Sequence, residues 1–247
     1  MLNDIYTVWL REMTRFGRAR SRVVSSLAMP LFWLIFLGTG FGSAFSLPGM
    51  DYTAFLAPGI IGMIVLFTSI FSGVSVIWDR QFGFLKEILV APVSRVSVVI
   101  GKALGGATVA TFSGLIMLAI AYAIGAIQPS YGILPAMAFM FLTGTCFVAA
   151  GLAIAARMRS MEGFQMIMSF IVMPTFFLSG ALFPLSTAPD WMRAISNIDP
   201  LTYGVDGLRH ALAGNGMLPI WLDFTILAVL ALVAISLASY LFRRGAL

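Results

Sequence analysis

The chain has 247 residues, 60% of them hydrophobic and only 10% charged, with mean hydropathy +0.98 and a formal net charge of +5. Soluble domains carry about 25% charged residues, so a water-soluble globule is excluded and lipid is the solvent for most of the chain. An isoelectric point near 9.8 would raise nucleic acid as a partner, but the placement of the basic residues makes it a topology signal, and no nucleic-acid partner is expected.

Residues 1–22 form a polar, patterned arm. At about 100° per residue, Ile5, Trp9, Met13 and Phe16 share one face while Arg11, Arg15, Arg18 and Arg22 gather opposite, and Arg20 falls nearer the apolar side. The pattern suits an amphipathic helix in the headgroup plane, with Trp9 and Phe16 in lipid and the arginines toward headgroups; a solvated basic arm is the alternative. A secretory signal does not fit. The apolar stretch 23–45 approaches spanning length and lacks a small-x-small cleavage site.

A bilayer core needs about 20 apolar residues per helix, because backbone amides in hydrocarbon must satisfy one another. Six segments meet that length: 24–46, 55–77, 98–127, 132–156, 164–184 and 221–242. The expected fold is therefore an all-α integral membrane protein, one transmembrane domain over 1–247 with six spans. Pro30 and Pro174 predict kinks, and the first turns of the third segment, around Lys102, are expected in the interface. The sole cysteine, Cys146, lies in an apolar run and reads as a packing residue.

Lysines and arginines divide unevenly between the connections, with 13 of 15 on one side and only Arg193 and Arg209 on the other. With five acids on each side, the two faces carry +8 and −3. Cytoplasmic loops retain the excess of basic residues, so both termini are expected in the cytoplasm of a plasma or inner membrane.

The connection 78–102 combines two surfaces. Phe84, Leu85, Ile88 and Leu89 have helical spacing, Asp79, Arg80, Lys86 and Glu87 are polar, and Pro92 stops or bends the run. A short amphipathic helix of this kind either seats in a partner's groove or lies on the lipid surface. The connection 185–220 carries two proline helix starts, at Pro189 and at Pro200, with Asp199 as the N-cap of the second. Leu201, Val205, Leu208 and Leu212 then form one apolar stripe, giving a short external helical hairpin between the fifth and sixth spans that packs on the outer ends of the bundle or dips into the membrane. His210 is expected on its surface, pairing with Asp206 one turn earlier.

An ion-coupled carrier places ionisable residues within its spans; here they lie only at span ends, as with Lys102 and Asp223. No G-x-x-x-x-G-K-[ST] phosphate loop occurs, and the only histidine, His210, lies outside the spans, so neither ATP hydrolysis nor intramembrane hydrolysis is expected on this chain. An ATP-independent carrier or channel remains the alternative to a transport subunit energised from elsewhere.

Two regions carry a family resemblance. Asp79, Gly83, Leu89 in approximate register, and Pro92-Val93-Ser94-Arg95 resemble the D/E-x-x-x-G-x-x-x-x-L-x-x-x-P-V-S-R pattern of ABC-2-type exporter permeases, a family that includes drug, polysaccharide and nodulation-factor exporters. Ser179-Gly180 to Pro184, Trp191, then Asp199-Pro200-Leu201-Thr202-Tyr203 to Arg209 resemble that family's S-G-x-x-x-P … N-P-L-x-Y-x-x-x-x-x-R ending, with Asp199 where asparagine is common. The resemblance implies an exporter of a lipophilic drug, lipid or lipid-linked glycan, a second permease copy, and a separate ATP-binding subunit that carries ATP and magnesium, with no cofactor on this chain. It also implies that 79–95 (Asp79, Arg80, Gly83, Phe84, Leu85, Lys86, Glu87, Pro92, Arg95) couples to that subunit. Pro184, Trp191, Asp199, Pro200, Tyr203 and Arg209 would belong to an external gate region.

Overall fold

The computed structural model describes residues 2–41, 52–81, 94–129, 131–158 and 161–244, and every regular element among them is helical. In chain order these are α1 (Leu2–Arg18), α2 (Arg20–Phe41), α3 (Tyr52–Gln81), α4 (Arg95–Ala123), α5 (Ile133–Arg157), α6 (161–178), α7 (Asp190–Ser196), α8 (Pro200–Ala213) and α9 (Ile220–Arg244). Within α6, a π-helical turn at Met168–Val172 precedes Met173–Leu178. Pro174 lacks an amide hydrogen and its ring crowds the preceding carbonyls, and the wider π turn accommodates that defect.

Four helices, rather than the six expected, are long and apolar enough by length and composition to cross a membrane: Tyr52–Trp78, Arg95–Ala123, Ile133–Arg157 and Ile220–Arg244. The first and fifth expected spans become the shorter apolar helices Ser25–Gly40 and Glu162–Leu178. The physical reasons are local. Arg20 and Arg22 occupy the first turn of α2, and α6 stops at Ser179-Gly180, where Gly180 takes φ +77° in the left-handed region.

Both shorter helices nevertheless run between the same two ends of the bundle. At one end Thr53 donates to the carbonyl of Gly38 (3.3 Å), Tyr52 Oη donates to that of Leu182 (3.1 Å), and Gly132 lies against the backbone of Ala211. At the other end Arg95 donates to the carbonyl of Arg243 (2.9 Å), which caps the last turn of α9, and Phe71 meets Phe164 with ring centroids 6.1 Å apart.

The packing rests on small residues. A Cβ on Gly73 of α3 would stand 2.8 Å from Gly151 of α5, so the two backbones touch. Close approach of this kind replaces the hydrophobic driving force that helices lack in lipid. α8 enters the same core, with Val205 against Gly62 of α3, and its expected stripe Leu201, Val205, Leu208 and Leu212 is buried throughout. The hairpin connection therefore does not merely rest on the bundle's outer surface.

The apolar edge of α1 packs on α4, which leaves Ile5, Trp9, Met13 and Phe16 half-buried. Val8 and Ile5 pack on Gly101, Glu12 packs on Gly105, Trp9 Nε1 donates to Thr108 (3.2 Å), and Phe16 stacks on Phe112 (centroids 6.5 Å apart). The rising series 101, 105, 108 and 112 shows α1 running along the first half of α4, because the two glycines open a groove that fits a helix. A methyl at Gly105 would sit 2.8 Å from Glu12 Cβ, whereas one at Gly17 meets nothing within 4 Å. Gly105→Ala is accordingly expected to lower stability by about 1–3 kcal/mol through overpacking. Gly17→Ala should be neutral or stabilising by up to ~1 kcal/mol. Thermal unfolding of both variants in detergent checks the difference; equal midpoints would remove the groove argument.

Candidate functional site

Two regions concentrate polar chemistry, one at each end of the bundle. Between them a cleft of about 670 Å³ opens along α1, α2, α3 and α6. Met29, Trp33, Phe67, Phe71, Phe176 and Phe177 supply its apolar walls, and Glu12, Arg15, Ser72 and Ser75 also line it. α2 borders it as a thinly attached helix, buried at Pro30, Leu34 and Gly38 on a single i, i+4 stripe.

Near the α1 side of the cleft lies a buried ion pair. Lys102 Nζ stands 3.8 Å from Glu12 Oε1 and donates to Ser75 Oγ (3.1 Å), with the two charged side chains 3% and 9% exposed. Lys102, in the first turns of the expected third span, ties α1, α3 and α4 together. Burial of either charge alone would be costly, and mutual neutralisation makes the arrangement tenable. Only the spacing of Glu12 within the α1 pattern, one turn before Phe16, hinted at this role in the sequence.

At the opposite end, α8 collects most of the expected gate residues. Asp199 caps α8 by accepting from the amide of Leu201 (2.9 Å), Pro200 opens the helix, and Gly214 closes it at φ +73°. Tyr203 Oη donates to the carbonyl of Asn197 (2.6 Å). Arg209 is 5% exposed; its guanidinium lies 3.9 Å from the centroid of the Phe55 ring and donates to the carbonyl of Gly180 (3.1 Å). It thereby clamps α8 to α3 and to the turn after α6. Half-buried Pro184 follows that turn, while Trp191 is 61% exposed on α7 and stands outside the cluster. Burial lowers the Arg209 pKa to about 10, partly offset by Asp206, so the group stays charged at neutral pH.

His210 does not pair with Asp206. Both oxygens of Asp206 accept from the amide of Met217 (2.8 and 2.9 Å) and one also from that of Leu218 (2.9 Å), holding the approach to α9. Fully buried Asp223 lies beside it, a pairing across 17 residues that no local pattern announces. Of the expected coupling residues, Gly83, Phe84, Leu85, Lys86, Glu87 and Pro92 lie outside the described residues, as do the side chains of Asp79 and Arg80 at the end of α3. Arg95 opens α4 and is engaged at the carboxyl end of α9. On α1, Arg15 lines the cleft, and Arg11 and Arg18 are exposed.

The comparisons with known proteins agree with one another. The family model described as ABC-2 type transporter matches residues 3–213. The chain is 26% identical to the inner membrane transport permease YadH of Escherichia coli K12, over 97% of this chain and 94% of that protein. It is 27% identical to nodulation protein J of Rhizobium meliloti, over 96% and 92%. A putative transport permease, ycf38 of Cyanophora paradoxa, is 26% identical over 84% and 73%.

Burial raises the Asp199 carboxyl pKa to about 7, against the lowering effect of its bond from the Leu201 amide. The folded protein thus binds an extra proton between about pH 4, the ordinary aspartate range, and pH 7. Stability from this group is fully present below that window and declines as pH rises through it. Asp199→Asn keeps a capping oxygen and should flatten this dependence, whereas Asp199→Ala loses the cap at a cost of about 1 kcal/mol. Unfolding midpoints of the three proteins at pH 5 and pH 8 test this. A wild-type pH slope that survives in Asp199→Asn would assign it elsewhere.

Proposed function

The chain belongs to the ABC-2 type transporter family, and from that premise we propose that it is the permease through which a lipophilic drug, lipid or lipid-linked glycan leaves the cell. It is a transport subunit and not an enzyme; ATP is hydrolysed on a separate ATP-binding subunit. The full assembly in this reading pairs two permease copies with that ATPase, which carries the ATP and magnesium. The carrying observation is the cleft: an apolar passage bordered by two thinly held helices, α2 and α6, on one side and by α3 on the other, with charged groups near one end. Such a site admits an amphiphile from the side. It would not suit a small hydrophilic ion.

The proposed topology has both termini and the end carrying Arg95, Lys102, Arg157, Arg243 and Arg244 in the cytoplasm, with 185–220 outside. The concentration of basic residues at that end supports it, and the end-to-end course of α2 and α6 supports six crossings. In a Cys146→Ala background, Ser186→Cys should react with a membrane-impermeant maleimide in intact cells. Ser21→Cys should react only after lysis. Reaction of both from one side would refute the arrangement.

Residues 79–95 are the proposed docking element for the ATPase, with Phe84 and Leu85 as buried anchors and the charges as its rim. Buried anchors cost on the order of 2 kcal/mol each when truncated, and exposed rim charges about 1 kcal/mol or less. Phe84→Ala with Leu85→Ala is therefore expected to abolish export and reduce ATPase copurification severalfold, while Lys86→Ala keeps most of both. Normal export and copurification in the double variant would remove this segment as the coupling site and favour an ATP-independent carrier.

A further inference from the structure

We propose that the cleft selects an amphiphile with an anionic headgroup, and that Arg15 is the residue that reads the charge. The inference rests on the transport reading of the same cleft and specifies the class of molecule it takes.

Three charged groups meet near the α1 side of the cleft. Glu12 is neutralised by Lys102 at 3.8 Å, and that pair is anchored to Ser75. Arg15, half-buried one helical turn further on, lines the cleft and has no hydrogen-bond or ion-pair partner among the described residues. Among the described residues the cluster thus carries one uncompensated positive charge beside an apolar wall. A half-buried cation beside an apolar wall has guanidinium hydrogens available, and an incoming anion supplies the partner. The planar guanidinium matches phosphate oxygens two at a time.

The rest of the cleft decides what the anion must be attached to. Its wall is mostly apolar, from Met29, Trp33, Phe67, Phe71, Phe176 and Phe177, with Ser25, Ser26, Thr68 and Ser113 among its few polar side chains, so a free oxyanion would leave most of the space unfilled. The volume of about 670 Å³ lies within the roughly 300–1,000 Å³ of sites that enclose a small ligand. It accommodates an acyl chain with its headgroup and is too small to enclose a glycan polymer. The occupant we assign is a lipid with a phosphate-type headgroup.

The test uses the full-length permease copurified with its ATPase, incubated with equimolar phosphatidylglycerol and phosphatidylcholine of identical chains, with retained lipid counted by native mass spectrometry. Wild type should retain phosphatidylglycerol at least tenfold over phosphatidylcholine. Arg15→Ala should bring the ratio near one and Arg15→Lys should fall between, while Arg11→Ala, exposed on the same helix, keeps the wild-type ratio. Met29→Trp, which fills the cleft, should cut retention of both lipids severalfold. An excess of inorganic phosphate should displace neither. A wild-type ratio near one, an unchanged ratio in Arg15→Ala, undiminished retention in Met29→Trp, or displacement by inorganic phosphate would each overturn the proposal. If export still depends on Phe84 and Leu85 while Arg15→Ala leaves the ratio unchanged, the headgroup site fails alone. If the lipid ratio behaves as expected but export does not depend on Phe84 and Leu85, the ATP-coupled reading fails instead.

Discussion

Helices immersed in lipid gain nothing from hiding apolar side chains from one another, so this bundle depends on how closely its backbones approach. Gly73 on Gly151 brings α3 and α5 into direct backbone contact. That contact sets the spacing into which the rest fits. Gly59 lies against the carbonyl of Ala181, which seats the turn after α6 on the head of α3, and Gly62 receives Val205 of α8. The glycine groove on α4 repeats the device for α1, with Gly101 and Gly105 one turn apart. Each position exchanges side-chain volume for dispersion contacts along the whole line of approach.

Polar groups then lock elements that apolar packing alone would leave free to slide. Arg209 spans three elements through one guanidinium, with its face over Phe55 and a donor on Gly180 of the connecting turn. Lys102 does the same at the far end with Glu12 and Ser75. Both sit beside α3, so the two ends of that helix are each held by a buried cation. Among the described residues α2 and α6 show no such buried cation, and they touch the core on narrow stripes, Pro30-Leu34-Gly38 in one and Phe164, Val172 and Phe176 in the other. Few buried contacts mean low local stability. The cleft is thus walled on one side by the closely packed core and on the other by two helices that touch that core on narrow stripes.

Much of this was legible from residues alone. The lack of charge dictates lipid as solvent, and the basic residues mark one face. Asp199-Pro200 with the stripe from Leu201 to Leu212 specifies α8 to within a residue, because capping, proline preference and helical periodicity are local properties. The proline start of α7 was likewise readable, one residue early, since Pro189 precedes the helix. The family resemblance had the same local footing in Ser179-Gly180 and Asp199 to Arg209.

What the tertiary structure decided is which surface each of those local features meets. An amphipathic stripe on α1 is the same sequence pattern whether it rests on lipid or in a groove cut by two glycines a hundred residues away; only the fold shows that Trp9 and Phe16 face α4. Hydropathy marked six apolar stretches. It is blind to the π turn and to the left-handed Gly180 that shorten the fifth. That Lys102 meets Glu12 and Arg95 meets the carbonyl of Arg243 is not readable locally, because those partners are 90 and 148 residues distant. The sequence by itself determined the solvent, the helices and their caps, all set by interactions within a few turns; the pairing of charges and the cleft they border came only from tertiary structure, because those depend on backbone approach between segments that local chemistry cannot relate.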